Sequence, residues 1–157
     1  MPPPASTPAG DSSLVFRAGP LLCALRLDEV IETMRPLTIH PLAGTPAFVS
    51  GICIMRGLPS PVIDVARLLG GARAEISRFV AVRTERGPVA FATGVIHGVR
   101  PVSADAASRH KALLGDAPAR LVAAVGTIDA EPVLLVQSMR LVPDEVWAAA
   151  AAVAVPS

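Results

Sequence analysis

The chain has 157 residues, the size of one domain or of two small subdomains sharing a core, which excludes a large multidomain enzyme. Hydrophobic residues make up 52% and charged residues 17%, which excludes global disorder, while 16 Pro and 12 Gly imply many turns and short elements. A formal charge of +1 and 3% aromatics with no Tyr leave neither the basic field nor the stacking platforms that nucleic-acid binding needs.

The segment from Met1 to Pro8 holds neither cations nor an apolar core, so residues 1–13 are expected to be a disordered lead-in and not a signal peptide. Leu14-Val15-Phe16-Arg17 and Leu21-Leu22-Cys23-Ala24-Leu25 flank Gly19-Pro20 and read as a hairpin. Asp28 to Met34 admits two readings, a helical turn capped by Asp28 or a twisted strand, either placing Val30 inward and Glu32 outward. Leu37-Thr38-Ile39 reads as a strand. Thr45 to Val49 reads as one helical turn, with Thr45 as cap and Pro46 at its first position. Ile52-Cys53-Ile54-Met55, bracketed by Gly51 and Gly57, reads as a buried strand, and Pro61 to Val65 as another, followed by a short helical turn at Ala66 to Leu69 that Gly70-Gly71 stops.

Phe79 to Arg83, Val89 to Thr93 and Val95 to Val99 continue as strands, Asp105 to Leu114 is helix or loop, and Leu121 to Ile128 with Pro132 to Val136 forms a last hairpin. The alanine-rich Asp144 to Val153 predicts a terminal helix within 143–157, with Asp144 and Glu145 at its positive end and Trp147 anchoring it. Its apolar tract is far shorter than the roughly 20 residues that span a bilayer, so no membrane insertion is expected. Strands at this spacing predict an all-β fold with a helical tail. Pro61-Val62-Ile63-Asp64-Val65 is echoed by Pro132-Val133-Leu134-Leu135-Val136, which hints at two similar small barrels.

No assembled active site is visible. There is no G-x-S-x-G elbow and no phosphate loop, and Gly19, Gly70, Gly71 and Gly94 look like turn residues. His40, His97 and His110 lack metal-site spacing, so neither a metal nor another cofactor is expected. Asp64 with Glu32 could form a carboxylate pair, although capping or solvated roles are commoner. Cys23 and Cys53 lie in apolar runs and are expected to be buried, reduced thiols of a cytoplasmic protein; a small enzyme using Cys53 and a histidine is the rival reading.

The stretch Thr45-Pro46-Ala47-Phe48-Val49-Ser50-Gly51, then Ile52-Cys53-Ile54-Met55-Arg56-Gly57, then Pro61-Val62-Ile63-Asp64-Val65 resembles the signature of CheW-like domains: a TPxFxxG turn, a strand ending in Asn-Leu-Arg-Gly, and a Pro-Val-Ile-Asp-Leu strand. Leu14-Val15-Phe16 through Val30-Ile31-Glu32 is similar to the family's opening hairpin and its Val-x-Glu element. The resemblance covers residues 14–142 and is specific in the first half. Ile54 departs from the family's usual Asn, and Thr93-Gly94 stands near its Val-Asp.

The resemblance implies two packed, SH3-like β-barrels and a non-enzymatic adaptor. Its partners would be the cytoplasmic signalling tip of a chemoreceptor and the regulatory domain of a chemotaxis histidine kinase. The residues it places at a partner interface are Val30, Glu32, Gly51, Ile54, Arg56 and Gly57. For Val30 the core is an equal alternative. Arg56 has two readings: a forked bond to a partner's carboxylate, or an internal pair with Glu32 that ties the barrel. A CheW-like scaffold in another chemosensory pathway, for surface motility or gene control, is the alternative that Ile54 supports.

Overall fold

The computed structural model describes residues 12–102, 104–105, 122–137 and 142–153. The expectations for residues 1–11, for 106–114 including His110, for Leu121, for 138–141 and for 154–157 lie outside the described residues. The first strand, β1 (Ser12–Ala18), starts two residues before the expected Leu14. It is followed by β2 (Leu21–Arg26), a 3₁₀ turn at Leu27–Glu29 and β3 (Val30–Met34), so the segment is a helical turn and then a strand; Asp28 lies inside the turn without capping it, and the bulge at Ile31 leaves Val30 and Glu32 both half-buried and Ile31 exposed. Next come β4 (Val49–Met55), β5 (Leu58–Asp64), the short α1 (Val65–Leu68), β6 (Arg78–Thr84), β7 (Gly87–Thr93), β8 (Ile96–Pro101), β9 (Ala104–Asp105), β10 (Val122–Ile128), β11 (Glu131–Val136) and α2 (Asp144–Ala152).

One sheet has the order β8-β1-β2-β11-β10-β9 and the other β3-β6-β7-β5-β4. Most pairs are antiparallel, but β2 runs parallel to β11 and β7 parallel to β5. Side chains alternate across each strand, so both faces are in use. Val15, Leu22, Ala24, Val133 and Leu135 fill a small core inside the first sheet, and Cys53, Val62, Phe79, Ala81 and Ala90 fill one inside the second. Their neighbours Leu14, Phe16, Cys23, Leu25, Ile63, Val80, Val82 and Phe91 meet in a larger core between the two sheets. This accounts for the unbroken apolar runs of the sequence. A strand buried on both faces has no polar side to alternate with.

The two sheets are built by the same plan, and their registers show it. The hairpin β4-β5 closes at Met55 opposite Leu58 and the hairpin β10-β11 at Ile128 opposite Glu131. Both slip by one residue at their open ends, at Val49/Gly51 and at Val122/Ala124. The parallel pairs correspond too, Val62 with Ala90 and Leu135 with Ala24. Strand β3 bulges at Ile31 against β6, and β8 bulges at His97 against β1. These strands are exchanged: β3 follows β2 in the chain yet pairs in the second sheet, and β8 follows β7 yet pairs in the first. The sequence echo therefore pointed to a real duplication at the wrong offset, because the ladders align Pro59, not Pro61, with Pro132.

Two local expectations are corrected. Leu37 to Ile39 forms no strand, because Pro36 and Pro41 interrupt any ladder; only His40 pairs, through hydrogen bonds in both directions with Ile52 at 2.7 and 2.9 Å. Thr45 to Val49 is a β-turn closed by Val49 N–H to the Pro46 carbonyl, and the Thr45 hydroxyl donates to carbonyls instead of capping. Asp64 caps α1 by accepting from the Arg67 amide at 3.3 Å, which leaves it no role in a carboxylate pair with Glu32. Helix α2 buries Val146 and Ala150 in the central core. Its Trp147 lies 3.6 Å from where a Cβ on Gly87 would stand, and the Arg86 guanidinium sits 5.7 Å over its ring while pairing with Asp144.

Candidate functional site

Arg56 and Gly57 are the two central residues of the turn joining β4 to β5, with φ of 50° and 80°. Positive φ at both positions marks the turn whose twist suits a two-residue hairpin, a conformation that Gly adopts freely and Arg does at some cost. The turn therefore points the Arg56 side chain off the end of the second sheet. There its Nε and Nη2 donate to the two carboxylate oxygens of Glu32 on β3, at 2.9 and 2.7 Å. Strands β3 and β4 are opposite edges of that sheet, so the pair laces the edges together across the closure of the barrel.

The internal reading of Arg56 is thus correct as geometry. Yet its side chain keeps 77% of its accessible surface, while Glu32 keeps 28%. The fork from Arg56 holds the Glu32 carboxyl below its ordinary range, outweighing a slight desolvation that pushes it up. The same contact raises the Arg56 guanidinium further. Around the pair, Ile31 and Leu58 are large apolar side chains left exposed, and Gly57 opens onto free space. The patch thus combines a fixed, charged fork with bare apolar surface, a combination that suits protein docking.

The other expected interface residues divide. Ile54 is half-buried on β4, close to the turn. Val30 is half-buried and packs on the central core, so both of its readings keep some ground. Gly51 is buried: a Cβ there would lie 2.2 Å from the His40 carbonyl oxygen, so the bare backbone is needed for His40 to cross β4. Its burial and close contact fit a packing role.

The duplicated plan brings out a second patch that the sequence reading missed. Asp129 and Ala130, in the turn between β10 and β11, also have positive φ, 50° and 67°. Asp129, which matches Arg56 in the duplicated plan, takes a hydrogen bond of 3.4 Å from Arg100 on β8, two residues along from Gly98, the position that matches Glu32, so the first sheet carries a similar tie with the charges reversed. Arg17 of β1 forks onto Glu131 at 2.5 and 3.0 Å in the same sheet. Nothing in the spacing signals these pairs, because β8 and β10 are joined only through the exchange of strands.

Cys23 and Cys53 are fully buried free thiols, and burial pushes them up to about 12 and about 11. Among the described residues no group of three or more His, Cys, Asp or Glu gathers to hold a metal, and no helix is long and apolar enough to cross a membrane.

Comparison with known proteins agrees with this architecture. The scaffolding protein TtCheW from Thermoanaerobacter tengcongensis has a similar fold, with a TM-score of 0.67 over 81% of this chain and 88% of that one, at 20% identity. Protein FrzA of Myxococcus xanthus is 36% identical over 61 residues, 39% of this chain, and the match spans 38% of that relative's length. A family model of the CheW-like domain matches residues 12–146, and with two duplicated barrel-like sheets beneath that match, the chain belongs to the CheW-like domain family.

Proposed function

We propose that the protein is a non-enzymatic adaptor of a chemosensory pathway, holding the cytoplasmic signalling tip of a chemoreceptor on one face and the regulatory domain of a chemotaxis histidine kinase on another. The observation that supports this best is the Arg56 fork, fixed by Glu32 and yet 77% exposed among bare apolar side chains. A side chain already held in place loses little further freedom on binding, so its contact with a partner is gained at low entropic cost. Coupling needs only that each partner bind the two signalling states of the assembly unequally, which contact geometry supplies without chemistry. The duplicated sheets, each with its own laced turn, provide two separate faces.

Arg56→Asn tests the site without disturbing the turn, since Asn tolerates positive φ. Loss of the guanidinium is expected to weaken binding of a soluble receptor signalling fragment or kinase regulatory domain by about 1–3 kcal/mol, with little change in melting temperature. The exchanged pair Glu32→Arg/Arg56→Glu restores the internal tie with its charges reversed. Wild-type stability with binding still lost supports docking through Arg56, and wild-type stability with binding recovered shows that the pair only closes the barrel.

A second reading keeps the scaffold and changes the pathway to surface motility or gene control. It rests on Ile54, which puts an apolar side chain beside the turn where the family usually has an amide. Binding assays against receptor fragments from the two kinds of pathway separate these readings.

A further inference from the structure

The chain passes between the two sheets at two places among the described residues, from β2 into β3 and from β7 into β8. The duplicated plan matches these places. The pairs Phe16–Ile96 and Val82–Val30, with the hairpin ends Ala18–Leu21 and Thr84–Gly87, lay β1 on β6, β2 on β7 and β8 on β3. Under that match Arg17 corresponds to Arg83. Of the seven matched positions of β1 and β6, it is the one at which both strands carry the same residue, so a charged side chain is kept while the apolar positions around it vary.

Each arginine stands where the incoming chain lands. Residues 27–29 leave the first sheet, and the Arg83 guanidinium of β6 donates to the Asp28 carbonyl at 2.7 Å. Gly94 and Val95 leave the second sheet, and Arg17 of β1 takes them by its backbone: its amide donates to the Val95 carbonyl at 2.9 Å, and its carbonyl accepts from the Gly94 amide at 2.8 Å. A Cβ on Gly94 would lie 3.2 Å from that carbonyl oxygen, so the approach is close. The Arg17 side chain then anchors this joint to the rest of its sheet, through the Pro20 carbonyl at 3.2 Å and the fork onto Glu131. The two arginines thus hold the two joints by different bonds.

Apolar burial is non-directional, so the central core holds the sheets face to face without by itself choosing the angle between them. Hydrogen bonds are directional, and a guanidinium fixes several donors in one plane. We propose that Arg17 and Arg83 are paired clasps on the two crossovers: they set the angle between the sheets, and through that angle occupancy of the Arg56 patch on one sheet is felt at the Asp129 patch on the other. Strand β3, which Arg83 steadies at its start, carries Glu32, and β8, which Arg17 steadies at its start, carries Arg100, so each clasp acts on the strand that ties its sheet's turn. The clasps concern the chain alone; the relay between the patches rests on the adaptor reading.

Residual dipolar couplings of backbone amides in the full chain test the clasps. In the wild type the amides of both sheets are expected to fit one alignment tensor. In Arg17→Gln/Arg83→Gln each sheet is expected to keep its own internal fit while the two tensors diverge, and Arg67→Gln/Arg73→Gln, which removes the same charge elsewhere, is expected to keep the single tensor. If the double variant loses the amide dispersion of a folded chain, Arg17→Gln and Arg83→Gln are read singly. A single tensor with the wild-type orientation after loss of the clasps, or a control that diverges as far, would overturn the proposal. The relay is read as the affinity for a soluble kinase regulatory domain with and without a receptor signalling fragment: about a fivefold change or more is expected in the wild type and none in Arg17→Gln/Arg83→Gln, with each partner's separate affinity unchanged. Equal kinase affinity with and without the fragment in the wild type, or coupling retained in the variant, would overturn the relay. A wild type that binds neither fragment, with its sheets still released by the substitutions, would overturn the adaptor reading and leave the clasps standing.

Discussion

Gly51→Ala separates a packing role from a docking role at a position inside the family signature. The φ of 145° at Gly51 is one that side-chain-bearing residues rarely adopt, and occupying it costs about 1–3 kcal/mol. The new Cβ would stand 2.2 Å from the His40 carbonyl oxygen and 2.8 Å from its carbon, both backbone atoms that cannot swing aside. Relief requires the segment at His40 to lift off β4, which breaks its two hydrogen bonds with Ile52, each worth about 1 kcal/mol net. The combined cost is about 4 kcal/mol, and at about 2–4 °C per kcal/mol for a domain of this size the melting temperature should fall by about 8–16 °C. Thermal and urea denaturation read this directly, and faster exchange of the Ile52 amide would locate the damage. A melting temperature within about 2 °C of wild type, with weakened partner binding, would refute the packing argument and return Gly51 to the interface.

Cys23 and Cys53 should resist alkylation in the absence of denaturant, because both are fully buried and almost wholly protonated at neutral pH; rapid, selective labelling of Cys53 would revive an enzymatic reading. Cys53→Ser should destabilise the chain by about 1–3 kcal/mol through an unpartnered buried hydroxyl, as measured by urea denaturation. The Glu32 carboxyl is held below its ordinary 4.5 in the folded chain, so its contribution to stability is present above about that pH and fades as pH falls through the lower folded value. Glu32→Gln should accordingly flatten the acid limb of the stability curve, and an unchanged acid limb would show that the fork contributes nothing. Trp147→Ala removes the ring that covers Gly87 and carries Arg86, and an equilibrium denaturation curve should show a loss of about 2 kcal/mol. An unchanged curve would mean that α2 is held by Val146 and Ala150 alone.

Much of the strand order was legible, and the reason is local. Hairpins such as β1-β2 are marked by Gly19-Pro20 between two apolar runs, and β4-β5 by Gly57 in a signature whose spacing is itself specific. The partition of the cores was not legible, because Leu-Leu-Cys-Ala-Leu sends alternate residues to two different cores and shows no period for either. The exchange of β3 and β8 is a property of long-range pairing, and no turn residue records it. For the same reason the Arg100–Asp129 pair and the match of Arg17 with Arg83 could not be read from spacing. Glu32 and Arg56, 24 positions apart, were legible as a pair only through the signature; the choice between tie and display required the exposure in the structure. Leu37 to Ile39 misled because its residue types favour strands while Pro36 and Pro41 deny it a ladder.

The central claim is that the chain bridges two proteins through separate faces, and a ternary titration tests it most directly. A soluble kinase regulatory domain is titrated into the preformed complex of this protein with a receptor signalling fragment, and the receptor-bound fraction is followed throughout. Ordinary interfaces bury about 800 Å² on each partner, and a chain with 8800 Å² of accessible surface has room for two. The account predicts a three-component complex in which receptor occupancy is retained as the kinase domain saturates. Stoichiometric release of the receptor fragment as the kinase domain binds would contradict it.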